Sequence, residues 1–180
     1  MREIETARVR LRGWVEEDLE PLVAMCADAR VMEFFPSVAS REDTEAMLGR
    51  IRSHHARYGF GPWAMEVEGE FAGALGLNWV RYETSFTPCV ELGYRMRAEF
   101  WGRGLATEAG RAALRYGFET LGLEEIVAFT IPANQRSRRV MEKLGLVYSG
   151  EFEHPLVAER HPMRRHVLYR IARANWEASG

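Results

Sequence analysis

Apolar residues recur at two different spacings along the chain. Alternation of apolar and polar residues predicts an edge strand around Val9 and Leu11, and further strands at 63–67, 71–79, 90–96, 126–131, 146–152 and 166–171. Spacing of three and four predicts helices at 16–27, 40–55, 104–121 and 135–144. This order indicates a mixed α/β domain with one βαβ crossover, between the strands at 90–96 and 126–131.

Several boundaries of these elements carry their own local signals. Ser40 followed by Asp43 resembles a capping box and predicts the start of the second helix. Gly69 lies in the turn of a predicted hairpin, and Gly145 is the predicted C-cap of the fourth helix. The charged and the small apolar residues of the third helix lie on different faces, so we expect this helix to pack on the sheet.

The composition is that of a globular protein and excludes several classes. The 180 residues suffice for one domain, which we expect to span 1–180. With 24 Lys and Arg against 26 Asp and Glu, the formal net charge of −2 argues against broad nucleic-acid binding. No apolar run suggests a signal peptide or a membrane span. The lone Cys26 and Cys89 suggest neither a disulfide framework nor a metal site, so we expect a cytoplasmic protein.

A glycine-containing loop at 100–107, between a strand and the third helix, is the most informative segment. Gly102 and Gly104 let the backbone approach a ligand, and the helix start behind them offers free N–H groups, an arrangement that binds a pyrophosphate. A dinucleotide-binding fold is disfavoured, because Thr107 replaces its third glycine and no acid follows the next strand. A phosphate-binding P-loop is excluded, because no Lys-Ser or Lys-Thr follows the glycines. A glycine-rich helix start without a ligand is the remaining alternative.

Two further motifs downstream decide between these alternatives. Asn134-Gln-Arg-Ser137 and the segment 140–146, together with the loop, resemble the signature of the GCN5-related N-acetyltransferase (GNAT) superfamily. The opening Thr6-x-Arg8-x-Arg-Leu-Arg and the segments at 91–94 and 101–109 are similar to the branch that contains the ribosomal-protein N-terminal (alanine/serine) acetyltransferases. Trp101 departs from the Gln or Arg usual at its position, but the loop acts mainly through backbone N–H groups.

The resemblance implies a mixed, mostly antiparallel sheet flanked by helices, with acetyl-CoA bound where the strands at 90–96 and 126–131 separate. The Cys and His residues lack metal-site spacing, so we expect no metal, and the resemblance places Asn134 near the thioester. The strand residues that would pair with the pantetheine arm are Tyr94, Arg95 and Met96. The loop that would hold the pyrophosphate consists of Trp101, Gly102, Arg103, Gly104, Leu105, Ala106 and Thr107. By the same analogy Phe34, Phe35 and Trp63 would form part of the acceptor pocket, although core packing is the alternative for them.

Acetylation of an amine needs a base for the amine and a proton donor for the departing thiolate. The resemblance assigns the donor to Ser137, since Met141 stands where many members carry a tyrosine; the alternative is that Ser137 only caps the helix. Glu91 is the candidate base, and its alternative is a structural ion pair. His154 and His161 are the other candidate bases, because histidine titrates near neutrality.

The acceptor itself is left open by the sequence. A protein N-terminus and a small-molecule amine both agree with the motifs, and a homodimer is possible by analogy with the family. The alternative function is an inactive module of this fold that binds and senses acyl-CoA. Glu91, Asn134 and Ser137 together favour the enzyme.

Overall fold

A single eight-stranded sheet forms the centre of the computed structural model, which describes residues 2–178. The spatial order is β1-β2-β3-β4-β5-β6-β8-β7. The strands are β1 (Ile4–Glu5), β2 (Arg10–Arg12), β3 (Pro62–Val67), β4 (Glu70–Trp79), β5 (Val90–Met96), β6 (Glu125–Thr130), β7 (Val147–Glu153) and β8 (Arg165–Ala172). Only β5 and β6 pair in parallel within the described residues, so the mixed, mostly antiparallel fold class is confirmed.

Helices cover both faces of this sheet. They are α1 (Leu19–Ala27), α2 (Arg41–Tyr58), α3 (Leu105–Arg115), α4 (Gln135–Lys143) and α5 (Arg173–Glu177), and the end of α3 continues as a π-helical turn to Thr120. The side chains of α3 and α4 share the larger core with β3 to β6 and β8. Those of α1 and α2 form a smaller core on the other face. The predicted capping box at Ser40 and Asp43 is present at the start of α2.

Strand β5 has one apolar face and one polar face. Val90, Leu92 and Met96 are buried on the side of α3. The intervening residues Glu91 and Arg95 point to the opposite face, because successive side chains of a strand alternate. The strand therefore carries an apolar face that anchors it and a polar face that is available for chemistry.

An opening in the sheet lies beside β5. Its parallel pairing with β6 is confined to Glu91 and Val127, whereas its antiparallel pairing with β4 runs from Val90 to Met96. The two parallel strands therefore separate beyond Glu91, as the resemblance implies. The loop before α3 and the first turn of α4 both follow the strands that border this opening.

Some elements differ from those that the periodicity predicts. The strand around Leu11 is not at the edge, because β1 pairs with its outer side. With two residues, β1 is too short to produce a recognisable alternation. The first helix begins with a 3₁₀ turn at Glu16–Asp18, and α5 follows β8 without a break.

Candidate active site

Two glycines give the loop before α3 its shape. Gly102 and Gly104 have φ angles of 74° and 77°, in the left-handed region that other residues adopt at a cost. Gly104 is the N-cap of α3, and within residues 2–178 no side chain caps the N–H groups of its first turn. These groups and the positive end of the helix dipole are therefore free for an anion.

Trp101 precedes the two glycines and turns its side chain away from the loop. Its Nε1 donates a hydrogen bond to the Met96 carbonyl oxygen at 3.0 Å, and the indole packs against both cores. The Arg136 guanidinium lies 4.5 Å from the indole centroid. At this position, where the family pattern has Gln or Arg, the side chain of Trp101 braces the loop against β5.

A carboxylate holds the first turn of α3 in place. Glu108 accepts hydrogen bonds from the Thr6 hydroxyl at 2.7 Å and from the backbone N–H of Arg8 at 2.8 Å, and its other oxygen pairs with the Arg8 guanidinium. That guanidinium also donates to the Arg103 carbonyl oxygen at 2.9 Å. Burial raises the pKa of Glu108, but the bonds from Thr6 and Arg8 outweigh it, so the pKa lies below its ordinary value. This clamp ties the glycine loop to the β1–β2 turn.

Two hydroxyl groups meet between β5 and α4. The Tyr94 hydroxyl lies 2.9 Å from Ser137 Oγ and donates to the Ser137 carbonyl oxygen at 3.0 Å. Asn134 caps α4 by accepting from the Ser137 backbone N–H at 3.1 Å, and its amide donates to the Thr130 hydroxyl, also at 3.1 Å. Asn134, rather than Ser137, therefore caps the helix, and the Ser137 hydroxyl is not needed for that purpose.

Glu91 occupies the polar face of β5 next to the opening. A Cβ placed on Gly93 would be in van der Waals contact with Glu91 Oε1 at 3.8 Å and with Asn78 Nδ2 at 3.7 Å, so the carboxylate and the amide flank this glycine on one face of the sheet. Burial raises the pKa of Glu91 to about 7. Within residues 2–178 no cation pairs with Glu91, so the structural ion pair is not formed.

The loop histidines differ from Glu91 in their environment. His154 lies among aromatic side chains, with its ring centroid 4.8 Å from that of Tyr82 and 4.9 Å from that of His166. Burial, helped by the charges of His166 and Arg164, lowers the pKa of His154 to about 4. His161 Nδ1 accepts the backbone N–H of Met163 in the same loop.

Tyr82 was not singled out by the sequence. Its hydroxyl is buried, and within residues 2–178 it has no hydrogen-bond partner. A buried hydroxyl without a partner is costly, so this group is available to a ligand. Its position in the irregular segment between β4 and β5 gives no periodic signal from which it could have been found.

An arginine and two phenylalanines border the polar face of β5 on the side of α1. The Arg95 guanidinium lies 4.0 Å from the Phe35 ring centroid and donates to Cys26 Sγ at 3.3 Å. Phe34 lies 5.5 Å from the Arg136 guanidinium, which also pairs with Glu33. Phe34 and Phe35 therefore lie between β5 and the first turn of α4.

The remaining predicted residues have structural surroundings. Trp63 has no exposed surface, because it packs against Tyr116 in the core with its Nε1 bonded to the Arg2 carbonyl oxygen. Met96 and Leu105 are also core residues, so any contact with a ligand would come from their backbone. The Arg103 side chain pairs with Glu68. The side chains of Ala106 and Thr107, in the first turn of α3, are half-buried.

Together these features define a class of protein. A helix start with free N–H groups adjoins an opening between two parallel strands, a carboxylate with a pKa near 7 lies on one face of β5, and a hydroxyl pair links the other face to α4. This arrangement suits transfer of a group from a long phosphate-bearing carrier to a nucleophile that is deprotonated at the site.

Comparisons with known proteins agree with this class. The family model of the acetyltransferase (GNAT) domain matches residues 8–147. YkkB of Bacillus subtilis strain 168 is 32% identical over 147 residues, 80% of this chain and 84% of that protein. Spermidine N(1)-acetyltransferase of Escherichia coli K12 is 28% identical over 152 residues, 81% of this chain and 76% of that protein. The crystal structure of a GNAT-family acetyltransferase from Bacillus anthracis matches with a TM-score of 0.77 at 25% identity, covering 96% of this chain and 99% of that one.

The chain belongs to the GNAT acetyltransferase family. It is an acetyltransferase, and enzymes of this family use acetyl-CoA as the acetyl donor. Within residues 2–178, no helix combines the length and the apolar character needed to cross a membrane.

Proposed function

We propose that this protein transfers the acetyl group of acetyl-CoA to a primary amine by direct attack. The observation that carries the proposal is the uncapped N-terminus of α3, with Gly102 and Gly104 in left-handed conformations beside the opening between β5 and β6. In the proposed complex this loop binds the pyrophosphate through backbone N–H groups. The backbone of Tyr94 to Met96 pairs with the pantetheine arm, and Asn134 lies near the thioester.

Acetyl-CoA supplies an activated acetyl thioester, and the side chains of the protein manage the protons. In our proposal Glu91 takes the proton of the attacking amine, directly or through water. Ser137 provides the proton for the departing sulfur. Gly93 carries no side chain between Glu91 and Asn78, which supports entry of the amine from the polar face of β5.

The pKa values favour Glu91 over His154 as the base. A general base is most effective when its pKa is near the working pH. The Glu91 pKa of about 7 meets this condition, whereas a His154 pKa of about 4 makes that imidazole a poor proton acceptor. We therefore assign to His154 the packing of the acceptor side rather than proton transfer.

The acceptor is proposed to lie between Phe34, Phe35 and Arg95 on one side and Tyr82 on the other. Trp63 is left out of this pocket because it has no exposed surface. The buried Tyr82 hydroxyl and the Glu91 carboxylate both offer hydrogen-bond acceptors to an amine. A spermidine acetyltransferase among the relatives makes polyamines one class to test, together with peptide N-termini.

An acceptor screen that follows the release of CoA tests the proposal. Purified protein is incubated with acetyl-CoA and a panel of polyamines, amino acids, aminoglycosides and short peptides. We expect turnover with at least one class and loss of about 100-fold or more in Glu91→Gln. Tight acetyl-CoA binding without turnover across the panel would instead favour the inactive acyl-CoA sensor.

A further inference from the structure

The hydroxyl pair between β5 and α4 spans the opening where the cofactor is proposed to bind. Tyr94 and Ser137 are 43 residues apart in the chain, yet their oxygens are 2.9 Å apart. The tyrosine also donates to the Ser137 carbonyl oxygen at 3.0 Å, so its phenol is held at the first turn of α4 by two contacts. Met141 places no second hydroxyl at the position where many family members have a tyrosine.

We propose that Tyr94 is a positioning residue that orients the Ser137 hydroxyl and makes it a better proton donor to the departing thiolate. This inference rests on the proposed function of Ser137. As the serine gives its proton to the sulfur, its oxygen gains negative charge, and the phenol turns its single proton from the Ser137 carbonyl oxygen to that oxygen. A hydrogen bond to a developing anion is stronger than one to a neutral group.

The proton balance of the step is complete without a further reagent. The amine nitrogen forms its bond to the acetyl carbon, the carbon–sulfur bond breaks, and its electron pair remains on sulfur. Ser137 gives its proton to that sulfur and recovers one from solvent, while the proton lost by the amine goes to Glu91 or water. Tyr94 keeps its own proton throughout. Burial, aided by the nearby Glu91 and only partly offset by the bond to Ser137, raises the pKa of the phenol, which favours this neutral form.

The alternative is that the phenol merely ties β5 to α4 through the Ser137 carbonyl. The two roles differ in their dependence on the serine hydroxyl. A tie to the carbonyl survives in Ser137→Ala, so removing the phenol would then have the same effect with or without the serine oxygen. A positioning role disappears once that oxygen is gone.

A double-mutant cycle separates these roles. Wild type, Tyr94→Phe, Ser137→Ala and the double variant are compared in single-turnover reactions with acetyl-CoA and hydroxylamine, a minimal acceptor that avoids the unknown acceptor pocket. Acetyl-CoA affinity is measured by calorimetry, and urea unfolding of the same four proteins gives the coupling in stability. Tyr148→Phe is the matched control, because it removes a phenol hydroxyl from a half-exposed tyrosine on β7.

We expect Tyr94→Phe to lower the transfer rate about tenfold, the size of one hydrogen bond, with little change in acetyl-CoA affinity. The double variant should be no slower than Ser137→Ala, and Tyr148→Phe should match wild type. If the rate losses of Tyr94→Phe and Ser137→Ala add up in the double variant, or if weaker acetyl-CoA binding explains the loss in Tyr94→Phe, the positioning role is overturned. This holds even if the two substitutions are coupled in the free energy of unfolding. Absence of coupling in unfolding would refute the hydrogen bond itself. Wild type that binds acetyl-CoA but acetylates neither hydroxylamine nor any screened amine would refute the proposed function and, with it, the catalytic role of the pair.

Discussion

Replacing Glu91 by glutamine should weaken the enzyme and stabilise the fold, both in a pH-dependent way. Burial favours the protonated carboxyl and raises the pKa of Glu91 from 4.5 to about 7 in the folded protein. Between these two pH values the folded state retains a proton that the unfolded chain has released. Stability of the wild type therefore falls as the pH rises through this window, and glutamine, which cannot ionise, avoids the loss.

The size of the effect follows from the two pKa values. Their difference corresponds to about 3 kcal/mol in the free energy of unfolding, absent below pH 4.5 and fully developed above pH 7. The activity of the wild type should instead rise with pH over this range. The ionised base is about one tenth of the wild-type population at pH 6 and about nine tenths at pH 8, so its contribution should rise with an apparent pKa of about 7.

Urea unfolding of wild type and Glu91→Gln from pH 4.5 to 8.5 measures the first effect, and kcat/KM over the part of this range where both proteins are folded measures the second. Glu17→Gln is the control, because it makes the same change at an exposed glutamate. Stability curves that stay parallel over the whole range would refute the burial argument. Equal kcat/KM in wild type and variant at every pH would remove Glu91 from proton transfer.

Three further changes test other parts of the site. Gly104→Val places a β-branched residue at a φ of 77° and should abolish the rise in melting temperature that acetyl-CoA causes. At 100 times its dissociation constant, acetyl-CoA should stabilise the wild type by about 2.7 kcal/mol. An unchanged rise in the variant would remove the loop from the cofactor site. Ser137→Ala should lower the acyl-transfer rate about 100-fold without weakening acetyl-CoA binding, because Asn134 still caps α4. The rate with the acetyl selenoester of CoA should fall less, because its leaving group needs protonation less. Equal losses of rate with the thioester and the selenoester would contradict the role of Ser137 as proton donor. Glu108→Gln should lower the free energy of unfolding by about 1 kcal/mol at pH 7 and by less at pH 3. The pKa of Glu108 is lowered in the folded protein, so its carboxylate stabilises the fold above the unfolded pKa, and this stabilisation is lost as the pH falls. A loss that does not depend on pH in urea unfolding would argue against the ionic clamp.

Features written in local sequence could be predicted well. The glycines of the loop and the capping box of α2 depend on residues within a few positions of one another, and the structure contains them. The predicted C-cap of α4 was wrong by one residue: Leu144 is the C-cap, and Gly145 follows it with a φ of 85° in the left-handed region. The alternation along 90–96 places Glu91 on the face opposite Leu92, which is where it lies. Strand β1 escaped prediction because two residues cannot establish a period, and its pairing with β2 depends on the fold.

Features that depend on distant contacts could not be predicted. The periodicity assigns Tyr94 to the same face as Leu92 and says nothing about the partner of its hydroxyl, which comes from a helix 43 residues later. Trp63 is an aromatic residue at a strand start and could have faced a pocket; its burial against Tyr116 is decided by the position of α3 and the turn that follows. The pKa of Glu91 is likewise set by the covering segments rather than by its neighbours in sequence.

The opening between β5 and β6 amounts to a third sheet edge, placed inside the molecule. The outer edges of a sheet can pair with strands of other chains. In this protein one outer edge, β1, has only two residues. The other, β7, carries Glu151 and Glu153 and a register shift after Tyr148. The inner edge of β5 beyond Glu91 has no strand partner on the β6 side among the described residues, and in the proposed complex its backbone pairs with the amide-bearing arm of acetyl-CoA as if with a strand. Variants that lengthened the pairing of β5 with β6 would make the sheet more regular and would close the space in which donor and acceptor are to meet.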